Sequence, residues 1–374
     1  MTFLFVTGHP AQIHNFRIVK KLLEENGHQV IWASTNKDIS FELLELYGIE
    51  FIPIDRPKGG LFAKIVNLFS NARRISKIIR QKNVDMVVSR VSPYAAIACK
   101  LNRINHIGLA DTEVSGIYDT FFSKLLDALI TSTTFERTLT KKQIRIPSNI
   151  ELFYLHPQHF KRDLSIYEDL NISLNDPFVI VRFVSWNAYH DAGHQGFSEE
   201  NKILLIDKLR KRFKVFISSE GYLPPELEKY RIKLPLDKIH SALAESVLYV
   251  GEGASMAAES AVLGTPAVFV NSIWSGNGKD LSNYGLFYQF KSSEQEQAEA
   301  IDKCIEILNN SLSENKINSL KYNYLKDKID ASSFLCWFIT NFPDSRKQLL
   351  DSSIKSTLFD RWKINAESEK TYPL

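Results

Sequence analysis

The sequence predicts an α/β protein of two doubly wound domains, each built on a parallel sheet. Short apolar runs alternate with longer amphipathic ones through most of the 374 residues, and strands alternating with helices make parallel sheets covered on both faces. A polar stretch with little strand character, residues 159–177, interrupts the alternation once, and the same layout then begins again. The length suits two domains, and 44% apolar with 24% charged residues supplies two cores and argues against disorder.

In the first half, FLFVT (3–7) reads as a strand running into Gly8. The helix that follows carries Phe16, Val19, Leu22 and Leu23 at helical spacing and ends at Gly27. QVIWAS is a second strand, a helix with Phe41, Leu43, Leu44 and Leu46 stops at Gly48, and EFIPI is a short strand. Residues 61–81 form a long, basic, amphipathic helix. VDMVVS is a strand of the doubly buried type, 93–102 a helix and HIGLA a strand, with one more helix–strand pair expected before DALITST. In the second half, FVIVRFV (178–184) is a strand, a helix around 199–212 leads to KVFISS, and a helix near 237–245 leads to VLYVG. A short helix and PAVFVN follow, and the chain beyond about 292 reads as helices, including the apolar FLCWFITNF. The expected division is an N-terminal domain over 1–160, a linker over 161–177, a C-terminal domain over 178–345 and a tail over 346–374. The halves share a layout but no convincing sequence repeat.

Several function classes fall away. A formal net charge of +3 is too small to argue for nucleic acid. No apolar run is long enough to span a bilayer, and MTFLFVTGHP lacks the basic start and long apolar core of a signal peptide. Cys99, Cys304 and Cys336 are far apart and odd in number, which gives neither a metal spacing nor a disulfide framework and suits a reducing cytoplasm.

The most informative stretch is 248–271, LYVGEGASMAAESAVLGTPAVFVN: strand, Gly-rich loop, short helix, Gly-Thr-Pro turn, strand. Gly251 and Gly253 are expected to let the backbone turn sharply and approach a ligand. Ala254, Ser255 and Met256 fall near a helix start, where free N–H groups and the helix dipole favour phosphate. Ser255 can serve as N-cap or as a phosphate donor. Glu259, about one turn in, can accept both ribose hydroxyls, as acidic residues do in other dinucleotide sites. Gly264 closes the helix and Pro266 prevents its continuation. The plainer alternative is a structural βαβ unit, its glycines serving turns and Glu259 favouring the positive helix end.

That stretch resembles the donor-nucleotide segment of GT-B glycosyltransferases and of the non-hydrolysing UDP-N-acetylglucosamine 2-epimerases. The chain resembles more closely an uncharacterised prokaryotic family of GT-B-like proteins. The likeness is carried by VRFVSWNAYHDAGHQG (181–196), FISSEGYLP (216–224), KIHSAL (238–243), GEGAS…ESAVLGTP, GHPAQIHNF and LADTEVSG, and it covers nearly the whole chain. The resemblance implies a GT-B-like fold, two Rossmann-like domains with parallel sheets facing across a cleft that serves as the active site. It implies that Gly253, Ala254, Ser255 and Met256 meet phosphate and that Glu259 meets ribose.

Ligands of open parallel sheets sit beyond the carboxyl ends of the strands, which selects three further loops. After the first strand come Gly8, His9, Pro10, His14 and Asn15; either histidine can be a general base, or a turn and a helix-surface residue. The epimerases carry an Arg-Pro-Glu run here after Gly-Thr, whereas this chain reads Gly8-His9-Pro10-Ala11-Gln12, a departure that counts against epimerase chemistry. LADTEVSG offers Asp111 and Glu113 as base, acid or acceptor ligands, with Asp111 and Thr112 as a helix cap the alternative. In SWNAYHDAGHQG, Trp186 and Tyr189 can stack on a base or sugar, while Arg182 in the preceding strand can pair with pyrophosphate. His190, Asp191 and His194 suggest a metal, but two histidines four apart serve one only on a helix face, and Gly193 argues for a loop; they are read as hydrogen-bond donors. His240 can reach the nucleotide from a helix start or lie on the surface.

The expected function is glycosyl transfer from a nucleotide-sugar, a UDP-sugar, to an unidentified sugar or lipid-linked acceptor in glycan or glycolipid biosynthesis, with no cofactor and no metal. The donor would be held by Ser255, Glu259 and Arg182, with a base from His14, Asp111 or Glu113. The rivals are a UDP-sugar 2-epimerase and a non-catalytic nucleotide-sugar-binding protein. The expected location is cytoplasmic. The basic helix over 61–81, read first as an ordinary surface helix, is the face for peripheral contact with the inner side of the membrane if the acceptor is lipid-linked.

Overall fold

The structure, a computed structural model, describes residues 1–55, 60–111, 117–184, 196–219, 221–272, 276–310, 314–351 and 357–364. The chain forms two compact units, Met1–His159 with Lys328–Asn365, and Phe160–Asp327.

The first unit runs β1 (Thr2–Thr7), α1 (Pro10–Glu25), β2 (Gln29–Thr35), α2 (Ser40–Leu46), β3 (Ile52–Ile54), α3 (Leu61–Gln81), β4 (Met86–Arg90), α4 (Pro93–Asn102), β5 (Asn105–Leu109), α5 (Ile117–Ser123), β6 (Ala128–Ser132) and β7 (Gln143–Ile146). Its seven-stranded sheet has the order β3-β2-β1-β4-β5-β6-β7, parallel throughout. The order reverses beside β1, so β2 and β4 flank it and their carboxyl ends open on one place. Leu4, Val6, Ala33, Ile54, Val87 and the inner face of α3 (Ile75, Ile78, Ile79) form one core layer. The helix–strand pair expected before DALITST is only α5; the described residues there contain no further strand.

The second unit runs α6 (Ile166–Asp169), β8 (Phe178–Phe183), α7 (Glu199–Leu209), β9 (Lys214–Ser219), α8 (Ile239–Glu245), β10 (Leu248–Gly251), α9 (Ala254–Leu263), β11 (Ala267–Val270), α10 (Gly276–Ser282), β12 (Phe287–Phe290), α11 (Glu294–Asn309) and α12 (Glu314–Lys326). Its sheet has the order β12-β11-β10-β8-β9 and is also parallel. Val179, Val181, Leu205, Ile217, Val250, Val268 and Ile301 belong to its core.

Two expected boundaries are corrected. Residues 161–177 are packed structure of the second unit, not a linker. Ile166 and Tyr167 are buried, Tyr167 Oη donates to Glu245 at 3.1 Å, and Lys238 Nζ donates to Asp169 at 2.6 Å. The chain from Lys328 returns to the first unit, whereas 178–345 was expected to stay in the second domain and 346–374 to be a tail. The returning α13 (Ala331–Thr340) and α14 (Asp344–Leu350) include the apolar FLCWFITNF run, and α13 packs on α1. Phe334, Leu335 and Phe338 are buried there. Asp330 caps α13 through the Ser332 and Ser333 amides and takes His159 Nε2 at 2.8 Å. Ser332 Oγ donates to the Phe153 carbonyl at 2.6 Å.

Candidate functional site

The carboxyl end of β10 builds the more elaborate site. Gly251 is glycine for packing: a Cβ there would run into the Arg182 carbonyl oxygen on β8, with Arg182 Cβ at 2.8 Å. Its role here is the close approach of two strands. Glu252 is buried, and its carboxylate takes the Val184 amide at 2.8 Å and the Phe197 amide at 2.8 Å, with Lys202 3.6 Å away. Burial pushes its pKa up. Glu252 therefore ties Val184, at the end of β8, to Phe197 ahead of α7.

Gly253 is the N-cap residue of α9 and gives no side-chain cap; Ser255 is not the cap. Ala257 N bonds the Gly253 carbonyl, so helix geometry leaves the amides of Ala254, Ser255 and Met256 without intrahelical acceptors. Ala254 and Ser255 are exposed and Met256 half-buried. Those donors and the helix dipole form a place for an anion. Tyr249, fully buried, donates from Oη to the Gly253 carbonyl at 3.1 Å and steadies the turn. Burial raises its pKa, with Arg182 opposing and Glu259 and Glu252 adding to the rise.

Glu259 lies further along α9 and is 7% exposed. His240, in the first turn of α8, places Nε2 3.3 Å from Glu259 Oε1. Arg182 is half-buried and donates from Nη1 to Ser218 Oγ at 2.7 Å. Its Cγ is 3.3 Å from where a Gly253 Cβ would stand. The structure thus brings Arg182, the start of α9 and Glu259 around Tyr249, with His240 against Glu259. The turn closes as expected: Gly264 has φ +100° at the helix end, and Thr265 Oγ1 donates to the Leu243 carbonyl at 2.7 Å.

In the first unit, His14 sits on α1, half-buried, with Tyr47 Oη 3.3 Å from Nδ1 and the Tyr154 ring at 5.3 Å. Asp111, just past β5, pairs with Arg90 at the end of β4. Arg90 lines a cavity of about 330 Å³ at the carboxyl ends of β1, β2 and β4, with Gly8, Gln12, Thr35, Lys37, Ser92 and Tyr94. His14 and Asp111 are not among its lining residues. His9 accepts the Ala11 amide and caps α1. Glu113, Trp186, Tyr189, His190, Asp191 and His194 lie outside the described residues. Among the described residues no group of three or more His, Cys, Asp or Glu side chains is placed to hold a metal ion.

Sequence reasoning missed Glu252, Tyr249, Arg90 and Ser92. Arg90 was findable, because it directly follows the expected strand VDMVVS and ligands sit beyond the carboxyl ends of such strands. Glu252 and Tyr249 carried no signal of their own, since their partners lie on other elements or in the following turn.

Two doubly wound units with this strand order and a β–turn–α site place the molecule in the GT-B class of folds. The chain belongs to the family described as "Protein of unknown function (DUF354)", whose model matches residues 3–320. Among solved structures it is similar to S. aureus MnaA in a co-structure with UDP, at 13% identity and a TM-score of 0.64, over 92% of this chain and 97% of that one. It is similar to UDP-GlcNAc 2-epimerase from Neisseria meningitidis bound to UDP-GlcNAc, at 14% identity and a TM-score of 0.63, over 91% and 100%. It is likewise similar to Acinetobacter baumannii MurG, at 17% identity and a TM-score of 0.57, over 91% and 100%. No curated protein matches the chain significantly.

Proposed function

We propose that the protein is a glycosyltransferase that takes its sugar from a UDP-sugar. The reading rests on the start of α9: helix-end amides at Ala254, Ser255 and Met256, Arg182 beside them, and Glu259 held by His240 further along the same helix. In this reading the amides and Arg182 hold the diphosphate and stabilise it as it departs, with no metal required. Glu259 accepts the ribose hydroxyls, with His240 fixing its carboxylate. Trp186, His190 and His194 supply base and sugar contacts.

The first unit takes the acceptor. A base from His14, Asp111 or Glu113 removes the acceptor hydroxyl proton while oxygen bonds to the anomeric carbon and the bond to UDP breaks. A lipid-linked acceptor would bring the protein to a membrane surface through α3. Among the described residues no helix is long and apolar enough to cross a membrane.

The likeness to UDP-GlcNAc 2-epimerases supports a second reading, in which the same donor site serves epimerisation. Gly8-His9-Pro10-Ala11-Gln12, without the Arg and Glu that resemblance leads one to expect, favours transfer. The test is UDP release from a panel of UDP-sugars with and without candidate acceptors. Acceptor-dependent release supports transfer. A second sugar isomer formed without acceptor supports the epimerase, and UDP-sugar binding without turnover of either kind supports a binding protein.

A further inference from the structure

Glu252 is the one side chain between Gly251, which ends β10, and Gly253, which caps α9. Each of its polar groups is engaged. Its amide donates to the Arg182 carbonyl at 2.9 Å, and its carbonyl accepts Asn271 Nδ2, just past β11, at 3.1 Å. On the side chain, Oε2 takes the Val184 amide and Oε1 the Phe197 amide, each at 2.8 Å. Lys202 on α7 stands 3.6 Å from Oε1 and lies over the Phe183 ring of β8, 5.0 Å from its centroid. One residue thus joins β8, β10, the end of β11 and the approach to α7.

The two amides dictate the residue type. Each N–H needs an acceptor, and only an ionised carboxylate presents two proton-free oxygens on one carbon. Glutamine would set its NH2 group against one of the two N–H groups, and aspartate is a methylene shorter. Gly196 is buried beside this carboxylate, and a Cβ there would run into it. The Glu252 side chain has no exposed surface. A charge so enclosed is unfavourable unless it is paired and hydrogen-bonded, and burial raises the Glu252 pKa against the pull of Lys202 and the two amides. An apolar side chain would serve packing without that penalty, so the charge points to something that must be held in place.

The parts it holds are those assigned to the diphosphate. After Glu252 comes the Gly253 carbonyl, which accepts the Ala257 amide and so closes the first turn of α9. Before it, the Glu252 amide is bonded to Arg182, whose guanidinium donates to Ser218. Arg182 and the first amides of α9 are therefore both located relative to this one residue.

We infer that Glu252 is a positioning residue for the diphosphate: its carboxylate, by gripping Val184 and Phe197, fixes the turn that aims the first amides of α9 beside Arg182. The inference rests on the UDP-sugar reading for the identity of the ligand, while the fixing of the turn is tested without one.

The test titrates the full chain with UDP and with uridine by ligand-observed NMR, and measures amide hydrogen exchange in the absence of ligand. Glu252→Gln is expected to weaken UDP roughly tenfold or more, while uridine, which has no diphosphate, changes less than about twofold. The phosphorus resonances of bound UDP should move toward those of free UDP. Exchange at the Ala257 amide should quicken roughly tenfold or more as the first turn of α9 loosens. Unchanged UDP affinity, equal losses for UDP and uridine, or unchanged exchange at Ala257 would each overturn the inference; equal losses mean a merely structural role. Gly196→Ala pushes the carboxylate aside while keeping its charge, and the same selective loss of UDP is expected. If Glu252→Gln does not fold, an unaltered preference for UDP over uridine in Gly196→Ala overturns the inference. A parent chain that binds no UDP sinks the transferase reading instead; faster exchange at Ala257 in Glu252→Gln then still upholds the fixed turn.

Discussion

His240 Nε2 stands 3.3 Å from Glu259 Oε1, with both side chains almost wholly enclosed. The pair joins the first turn of α8 to the middle of α9 and gives the carboxylate one orientation. Glu259→Ala is expected to weaken UDP by about 1.5–3 kcal/mol, or roughly ten- to a hundredfold, in a protein that stays folded. His240→Ala should cost less, roughly three- to tenfold, because the carboxylate remains and loses only its His240 contact. Calorimetry with UDP decides both; unchanged affinity in a folded Glu259→Ala variant removes the ribose assignment.

The two glycines before α9 should answer differently to one added methyl group. At Gly251 it meets the backbone of β8, while at Gly253 the nearest atom is Cγ of the Arg182 side chain at 3.3 Å. Gly251→Ala is expected to destabilise the protein by about 3 kcal/mol or more, since a strand must move. Gly253→Ala should leave the melting temperature nearly in place and lower UDP affinity instead. Equal melting temperatures for the two variants would contradict the packing argument.

Acid should loosen the first unit through its buried histidines. Burial holds His156 down to about 4, with Asp330 pulling the other way and His159 adding to the fall. Burial likewise holds His106 at about 3. In both, the unfolded chain binds the proton more readily, so their contribution to stability is complete above about pH 6.5. It is lost as pH falls through 6.5 toward these folded values. For His156 alone the change is on the order of 3 kcal/mol. His156→Asn should flatten the decline in urea-unfolding stability measured from pH 7 down to pH 4. A decline as steep as that of the parent protein would discount this residue.

Transfer and epimerisation part at one bond. Epimerisation at C2 must break the C2–H bond, and transfer need not. With UDP-N-acetylglucosamine in heavy water and no acceptor, NMR is expected to show neither deuterium at C2 nor a second isomer. Enzyme-dependent deuteration that disappears in Glu113→Gln would establish the epimerase instead.

The outer face of α3 invites a lipid test. Ile65, Val66 and Phe69 are 46%, 52% and 52% exposed, and Lys64, Arg73, Lys77 and Arg80 are exposed on the same helix, which has no acidic residue. Apolar side chains beside unopposed cations suit an anionic bilayer surface. The protein is expected to sediment with phosphatidylglycerol vesicles, less so in high salt and several-fold less as Phe69→Ser. Failure to sediment at low salt would leave α3 an ordinary surface helix.

The sequence by itself determined the alternation of strand and helix, the two parallel sheets, the 93–102 helix and the Gly-rich turn into α9. These are local: an apolar period, a glycine or a proline speaks for its own few residues. Short strands at sheet edges escaped it. QIRI, which became β7, is half-exposed and alternates with polar residues, and the partly buried FYQF of β12 carries a polar residue within only four. Their strand character comes from the neighbours β6 and β11 that pair with them.

Only the tertiary structure decided which unit covers FLCWFITNF. An apolar helix face is equally satisfied by any apolar surface, and α1, with Asp330 taking His159, settles it. The same holds for the sites. Glu259 was legible as an acid on a helix, and Asp111 as an acid after a strand. That the one is held by His240 and the other by Arg90 depends on where the backbone sets their elements, and that lies outside any local pattern.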